Sequence, residues 1–161
     1  MGKKPSASVE RVRAALTAKG LAAEVKELAA STRTAEEAAA AVGCQVAQIV
    51  KSLVFRKTAS GGALLVLVSG TNRASEARLA VLAGEPVARA DAAFVRERTG
   101  FAIGGVPPLG HKEPLAVLVD ATLMSFPVVW AAAGSPNAVF AVTPADLQRI
   151  TAGQVADVAE A

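Results

Sequence analysis

Apolar and polar positions alternate along this chain in blocks of helical and strand spacing. Val9, Val12 and Leu16 share one helical face after Ser8, and Gly20 supplies the stop. Residues 21–28 predict a short strand, with Ala23, Val25 and Glu27 alternating with their neighbours. Thr34 with Glu37 three residues on has the form of a capping box, so the alanine run to Val42 reads as a helix that Gly43 closes. One or two further helical turns are expected over 44–50. Residues 52–56 and 64–68 are strand-like and flank the hairpin-type connection Lys57-Thr58-Ala59-Ser60-Gly61-Gly62.

The second half continues the mixture. After Ser69-Gly70-Thr71-Asn72, a helix is expected from Arg73 to Leu82, ending at Gly84. Asp91 caps a predicted helix through Glu97, with Phe94 as its buried anchor and Gly100 as its stop. Residues 115–119, 128–132 and 138–142 read as strands, the second carrying the only tryptophan, Trp130. Thr143-Pro144-Ala145-Asp146 starts a last helix that ends near Ile150, followed by a small, polar tail. There is no internal repeat and no regular βαβ alternation. The expected fold is therefore α/β of the α+β type: one domain with a central mixed sheet and surrounding helices. Residues 1–7 are expected to be a flexible leader and 8–161 the domain.

Composition narrows the class. At 161 residues, 52% hydrophobic and 19% charged, the chain can bury a sizeable core, built mostly from Ala, Val and Leu because aromatics make up only 4%. The most apolar stretch, 115–133, is interrupted by Asp120, Ser125 and Pro127, so no membrane span is expected. The basic start Met1-Gly2-Lys3-Lys4-Pro5 has no apolar segment behind it, which argues against a secretory signal. A lone cysteine, Cys44, rules out an internal disulfide, fits a reducing compartment such as the cytoplasm, and is expected to pack as a small apolar residue. The charge of +3 is scattered rather than striped; it permits contact with nucleic acid without demanding it.

Two segments carry the candidate chemistry. Lys51 lies in the apolar run Ile49-Val50-Lys51-Ser52-Leu53-Val54-Phe55, where an ammonium needs a partner. It reads either as a sheet-edge lysine or as a site residue. Gly104-Gly105-Val106-Pro107-Pro108-Leu109-Gly110 is too rich in glycine and proline for helix or ordinary strand, and offers backbone N–H groups with little side chain in the way. Facing each other, the two would form a small pocket for an oxygen-rich ligand. One histidine and one cysteine nearly exclude a Cys/His zinc site, and no Gly-x-Ser-x-Gly elbow or phosphate-binding glycine loop is present. His111, beside Lys112 and Glu113, reads as a solvent-exposed loop histidine, with a place at the pocket mouth as the functional alternative.

These segments, in this order, with Asp120 at a strand end, Ala132-Ala133-Gly134-Ser135-Pro136-Asn137 and the Thr143 helix start, resemble the YbaK/prolyl-tRNA synthetase editing-domain family over about Val9 to Thr151. Its lysine matches Lys51, and its Gly-x-x-x-Pro loop matches Gly104 to Pro108. The resemblance implies a curved, largely antiparallel sheet and a freestanding deacylase acting on aminoacyl-tRNA without metal or other cofactor. Lys51 would sit near the terminal adenosine and its phosphate. The backbone of Gly104, Gly105, Val106, Pro107 and Pro108 would hold the aminoacyl carbonyl, while water attacks with help from the terminal ribose hydroxyl. Leu109, Gly110, His111, Gly134, Ser135 and Asn137 would border the substrate. Lys57, Arg73 and Lys112 are candidate tRNA contacts by loop position. A tRNA synthetase is a further candidate partner.

The implied substrate is proline tRNA carrying a small non-proline residue: 2-aminobutyrate, alanine, cysteine, serine or threonine. Members specific for alanyl-tRNA carry a His-Pro segment where this chain has Gly134-Ser135-Pro136-Asn137, which weighs against alanine. Two other readings compete: a module that binds aminoacyl-tRNA or an oligonucleotide without hydrolysis, and a small-molecule hydrolase using His111.

Overall fold

The computed structural model describes residues 7–29 and 34–160. The expected leader, save Ala7, lies outside the described residues. Helix α1 (Ala7–Ala18) buries Val9, Val12 and Leu16, the face that the spacing picks out. Strand β1 spans only Val25–Glu27, shorter than expected. Helix α2 (Ala35–Val42) is capped by Thr34, whose Oγ1 accepts the Glu37 N–H at 3.1 Å; Gly43 closes it in the left-handed conformation at φ 76°. A 3-10 turn over Val46–Gln48 replaces the longer helical stretch expected before β2, because the chain is already extended at Ile49.

Strands β2 (Val50–Lys57) and β3 (Ala63–Ser69) form the antiparallel hairpin. Helix α3 (Glu76–Ala83) starts three residues later than expected, because Ser75 is its cap and accepts the Arg78 N–H. Strand β4 (Val87–Arg89) was not anticipated; three residues leave too little alternation to detect. In α4 (Ala92–Thr99) the buried residues are Val95 and Thr99. Phe94 is only half-buried, with the Arg98 guanidinium 5.1 Å from its ring, so it is not the anchor. The remaining elements are β5 (Ala116–Asp120), a 3-10 turn Ala121–Ser125, β6 (Val129–Ala132), β7 (Ala138–Val142), α5 (Pro144–Thr151) and β8 (Gln154–Ala156). The small, polar tail thus contributes a strand.

Among the described residues the strands form two sheets. One is antiparallel with order β1-β7-β6; the other is mixed, with order β4-β2-β3-β5-β8, in which β5 runs parallel to β3 and β8 parallel to β5. An isolated bridge between Ile49 and Trp130 links them. Both faces of the larger sheet are covered. Leu65, Leu67, Val117 and Val119 pack with α1, α5 and the smaller sheet in the main core. Phe55, Leu64, Val66, Val68 and Leu118 pack with Leu79 of α3 and Val158 in a second cluster. Burial on both faces is why β3 reads as an unbroken apolar run rather than an alternating one. No helix among the described residues is long and apolar enough to cross a membrane.

The turn after β3 is pressed against the turn before β2. Gly70 N–H donates to Ile49 C=O at 2.8 Å, and a Cβ at Gly70 would lie 2.2 Å from the Val46 carbonyl oxygen. Gly70→Ala is therefore expected to lower stability by about 1–3 kcal/mol, the usual cost of overpacking. Thermal or urea unfolding checks this; an unchanged midpoint would mean that the two turns separate easily.

Candidate functional site

Strand β2 is paired along its length with β3, but β4 pairs only with Phe55, Arg56 and Lys57. Beyond the Val54 carbonyl, which accepts the Ala90 N–H at 3.1 Å, the edge formed by residues 50–53 is left open on that side, and a cavity of about 320 Å³ opens there. Its walls come from β2, from Ala131 and Ala132 of β6, from Ala138 and Val139 of β7, and from the start of α2. Ile103, Gly104 and Val106 of the glycine-proline loop complete it, with Ser135 and Pro136 of the later turn. The floor is small and apolar. Lys51 and Arg89 are the charged residues lining it; both are cations.

Lys51 Nζ donates to the Asn72 carbonyl in the turn that follows β3. Burial is the main cause that pulls its pKa below the ordinary lysine value; Arg73 and Arg89 act the same way, while Glu36 and Asp120 oppose them. An ammonium held by one neutral carbonyl keeps two further N–H donors for a ligand. Arg89, on β4, carries its guanidinium 5.7 Å from the Phe55 ring. The Ser52 hydroxyl is buried beside the cavity with no hydrogen-bond partner among the described residues, and Trp130 lines the wall with Lys26 Nζ 5.7 Å from its ring.

The loop that bears Gly104 is held from behind. A Cβ at Gly105 would lie 2.8 Å from Ser135 Cα, so the loop and the 134–137 turn meet backbone to backbone. Gly105 N–H donates to Ala102 C=O at 3.1 Å. Proline has no N–H. The loop donors that border the cavity are therefore Gly104 and Val106. Pro107, Pro108 and Leu109 are buried beneath them. Gly110 turns at φ 81° against Ala15 of α1.

His111 does not line the cavity. Its ring is mostly buried, packs edge-on to Phe101, and Nε2–H donates to the Pro107 carbonyl at 2.7 Å. It supports the loop instead of facing a ligand, and the reading as a hydrolase built on His111 loses its geometry. Gly134 is packed against the Ser8 carbonyl. Asn137 Oδ1 accepts from the Ser135 hydroxyl at 2.7 Å, and its Nδ2 donates to Leu28 C=O at 3.2 Å. Asn137 thus shapes the turn rather than lining the cavity.

The structure brings Lys51, Gly104, Val106 and Ser135 together and leaves the three expected RNA contacts outside the cavity wall. Arg73 is exposed near Lys51, and Lys57 lies six positions along β2, about 20 Å away at strand rise. Lys112 is exposed beyond His111. Sequence reasoning missed Arg89, Ser52, Ile103 and the start of α2. Trp130 carried a signal, being the sole tryptophan on a strand; Arg89, between two alanines, carried none. Among the described residues, no three His, Cys, Asp or Glu side chains are placed to hold a metal ion.

The family model of the aminoacyl-tRNA editing domain matches residues 29–150. The chain belongs to the aminoacyl-tRNA editing domain family. An uncharacterised protein of Bacillus subtilis (strain 168), YwhH, is 30% identical over 92% of this chain and 94% of its own length. The proline–tRNA ligase of Limosilactobacillus fermentum is 30% identical over 59% of this chain, a match spanning 17% of the ligase. Among solved structures, a candidate trans-editing enzyme for prolyl tRNA synthetase is 51% identical over 98% of this chain and all of its own, with a TM-score of 0.93. The hypothetical protein APE2540 is 36% identical over 93% of this chain and 99% of its own, with a TM-score of 0.87. The mixed α/β fold is that of this editing family.

His111 gives the editing domain a pH dependence. Burial, the larger effect, pushes its pKa below the ordinary value near 6.5, against the opposing pull of the Pro107 hydrogen bond. The unfolded chain then binds a proton that the folded chain refuses, so stability should fall as the pH drops below about 6.5. Thermal unfolding between pH 8 and 5 checks this. His111→Gln should flatten the dependence over that window, and an unchanged slope in the variant would refute the assignment.

Proposed function

We propose that this editing domain is a trans-acting deacylase that hydrolyses the ester between proline tRNA and a wrongly attached small amino acid. The observation that carries the reading is the convergence of Lys51, Arg89, Gly104 and Ser135 on one small cavity that, among the described residues, is lined by cations and no carboxylate. Such a mouth suits the anionic 3′ end of an RNA. Lys51 binds the phosphate next to the terminal adenosine, with Arg89 as a second cation and Arg73 at the rim. The Gly104 and Val106 N–H groups face the aminoacyl carbonyl and stabilise the oxyanion as it develops.

Water is the nucleophile, positioned with the help of the terminal ribose hydroxyl. It adds to the ester carbon, the bond from carbon to ribose oxygen breaks, and the ribose oxygen takes up a proton. The products are the free amino acid and uncharged tRNA. An aminoacyl ester is activated already, so positioning and fixed dipoles suffice and no metal or other cofactor is required. The apolar floor around Val50, Val54 and Ala131 selects by size, which is worth only about 1–3 kcal/mol per methylene. That fits a second sieve for small residues such as 2-aminobutyrate, alanine, cysteine, serine or threonine. The protein acts in the cytoplasm, alone or docked on a synthetase.

Ester loss from proline tRNA charged in turn with proline and with each of these five residues tests the reading. One or more non-proline esters should be hydrolysed and prolyl ester spared. Lys51→Ala should lower the rate by about a hundredfold or more, the scale for losing one oriented donor, while the protein stays folded. A folded protein that binds charged tRNA with salt-dependent affinity but hydrolyses no ester would leave the binding-module reading standing.

A further inference from the structure

Asp120 is 1% exposed, yet no cation forms an ion pair with it among the described residues. Burying a carboxylate is costly unless donors surround it. Here they do. Oδ2 accepts the Ser69 N–H at 3.0 Å and the Asn72 side-chain amide at 2.9 Å, and Oδ1 accepts the Thr122 N–H at 3.0 Å. Asn72 Nδ2 also donates to Thr122 Oγ1 at 3.0 Å. The carboxylate thus ties the end of β3 to the end of β5, and the side chain it fixes belongs to the residue whose carbonyl holds Lys51.

The turn has little freedom to move otherwise. Asn72 N–H donates to Ser69 C=O at 2.9 Å, and the Ser69 hydroxyl donates to Ala47 C=O at 2.6 Å. Gly70 is seated against Val46. The position of the Asn72 carbonyl is over-determined from both sides, which is more than a surface turn between a strand and a helix requires.

We propose that Asp120 and Asn72 are positioning residues for Lys51: the buried carboxylate orients Asn72, whose carbonyl holds the ammonium at the cavity mouth. This rests on the deacylase reading for its activity readout, but not for its spectroscopic one. The charged groups that act on Lys51 are Glu36 at the start of α2, Arg73 after the turn, Arg89 on β4 and Asp120 itself. Asp120 is the one among them that also shares a hydrogen-bonded path with the ammonium. Its negative charge favours the protonated lysine, so neutralising it lowers the lysine pKa.

Two readouts decide. In a double-mutant cycle, Asn72→Ala should lower kcat/KM by about tenfold to a hundredfold in wild type, the scale for a misplaced reacting group, and change nothing further in a Lys51→Ala background. An equal loss in both backgrounds, or none in wild type, overturns the proposal. By NMR titration of the Lys51 side chain, Asp120→Asn should move its ionisation to lower pH, and the alkaline limb of the rate profile with it. An unmoved titration overturns the electrostatic half. If Asp120→Asn does not fold, Thr122→Val with Asn72→Ala replaces it: loosening the turn should broaden or shift the Lys51 signal, and an unaltered signal counts against the tether. If wild type hydrolyses no ester, the deacylase reading fails while the NMR titration still decides the tether.

Discussion

The rest of the structure depends on one strand being paired unequally on its two sides. β2 carries a full ladder to β3, but on its other side β4 and the Ala90 N–H reach it only from Val54 to Lys57, and β6 is bridged only to Ile49, just before the strand starts. Backbone groups at such an edge need partners, and burying them without any is expensive. The gap between β4 and β6 is therefore a place where a ligand can do what a neighbouring strand would have done. Most of the wall belongs to two sheets, and the loop that completes it is anchored by the buried residues from Gly105 to Leu109, so the cavity is largely a property of the scaffold.

That geometry sets the electrostatics. Lys51 sits on the Phe55 side of β2, at the boundary between an apolar cluster and the opening, so its ammonium is half-desolvated and its field is less screened than at an open surface. Arg89 lines the same cavity and Arg73 stands near the same ammonium, so like charges gather where folding alone would separate them. Asp120 and Glu36 offset part of the repulsion. An arrangement that is costly without a ligand and relieved by an anion is what a phosphate-binding mouth requires.

Much of this was legible in the residues, for identifiable reasons. Thr34, Asp91 and Thr143 cap helices because short polar side chains before apolar periodicity have few other uses. Lys51 stood out as a cation in an apolar run, and the loop from Gly104 as a backbone shape that glycine and proline alone permit. What stayed hidden is what tertiary proximity creates. The strands β4 and β8 are too short to show a period, and β8 exists only because β5 offers a parallel edge. Arg89 reaches the cavity by lying beside Phe55 in the register of β4, and Asp120 reaches the turn after β3 because the ends of β3 and β5 coincide. His111 reads from sequence as a solvent-exposed loop histidine, or a mouth residue at most, because it follows the loop; in space it lies behind it, on the Pro107 carbonyl.

The contact between Gly105 and Ser135 joins the two parts of the proposed site. The glycine loop supplies the N–H groups proposed for the carbonyl, and the 134–137 turn supplies part of the wall that a substrate side chain would meet. The two touch with no side chain between them, since even a Cβ at Gly105 would lie 2.8 Å from Ser135 Cα. A change in the turn therefore cannot be absorbed by a rotamer; it must move the loop backbone. Ser135 and Asn137 close the turn on itself and Asn137 fastens it to Leu28, so its shape is fixed from the side away from the loop as well. A family member that alters this turn to admit a different amino acid would have to alter the loop's footing too.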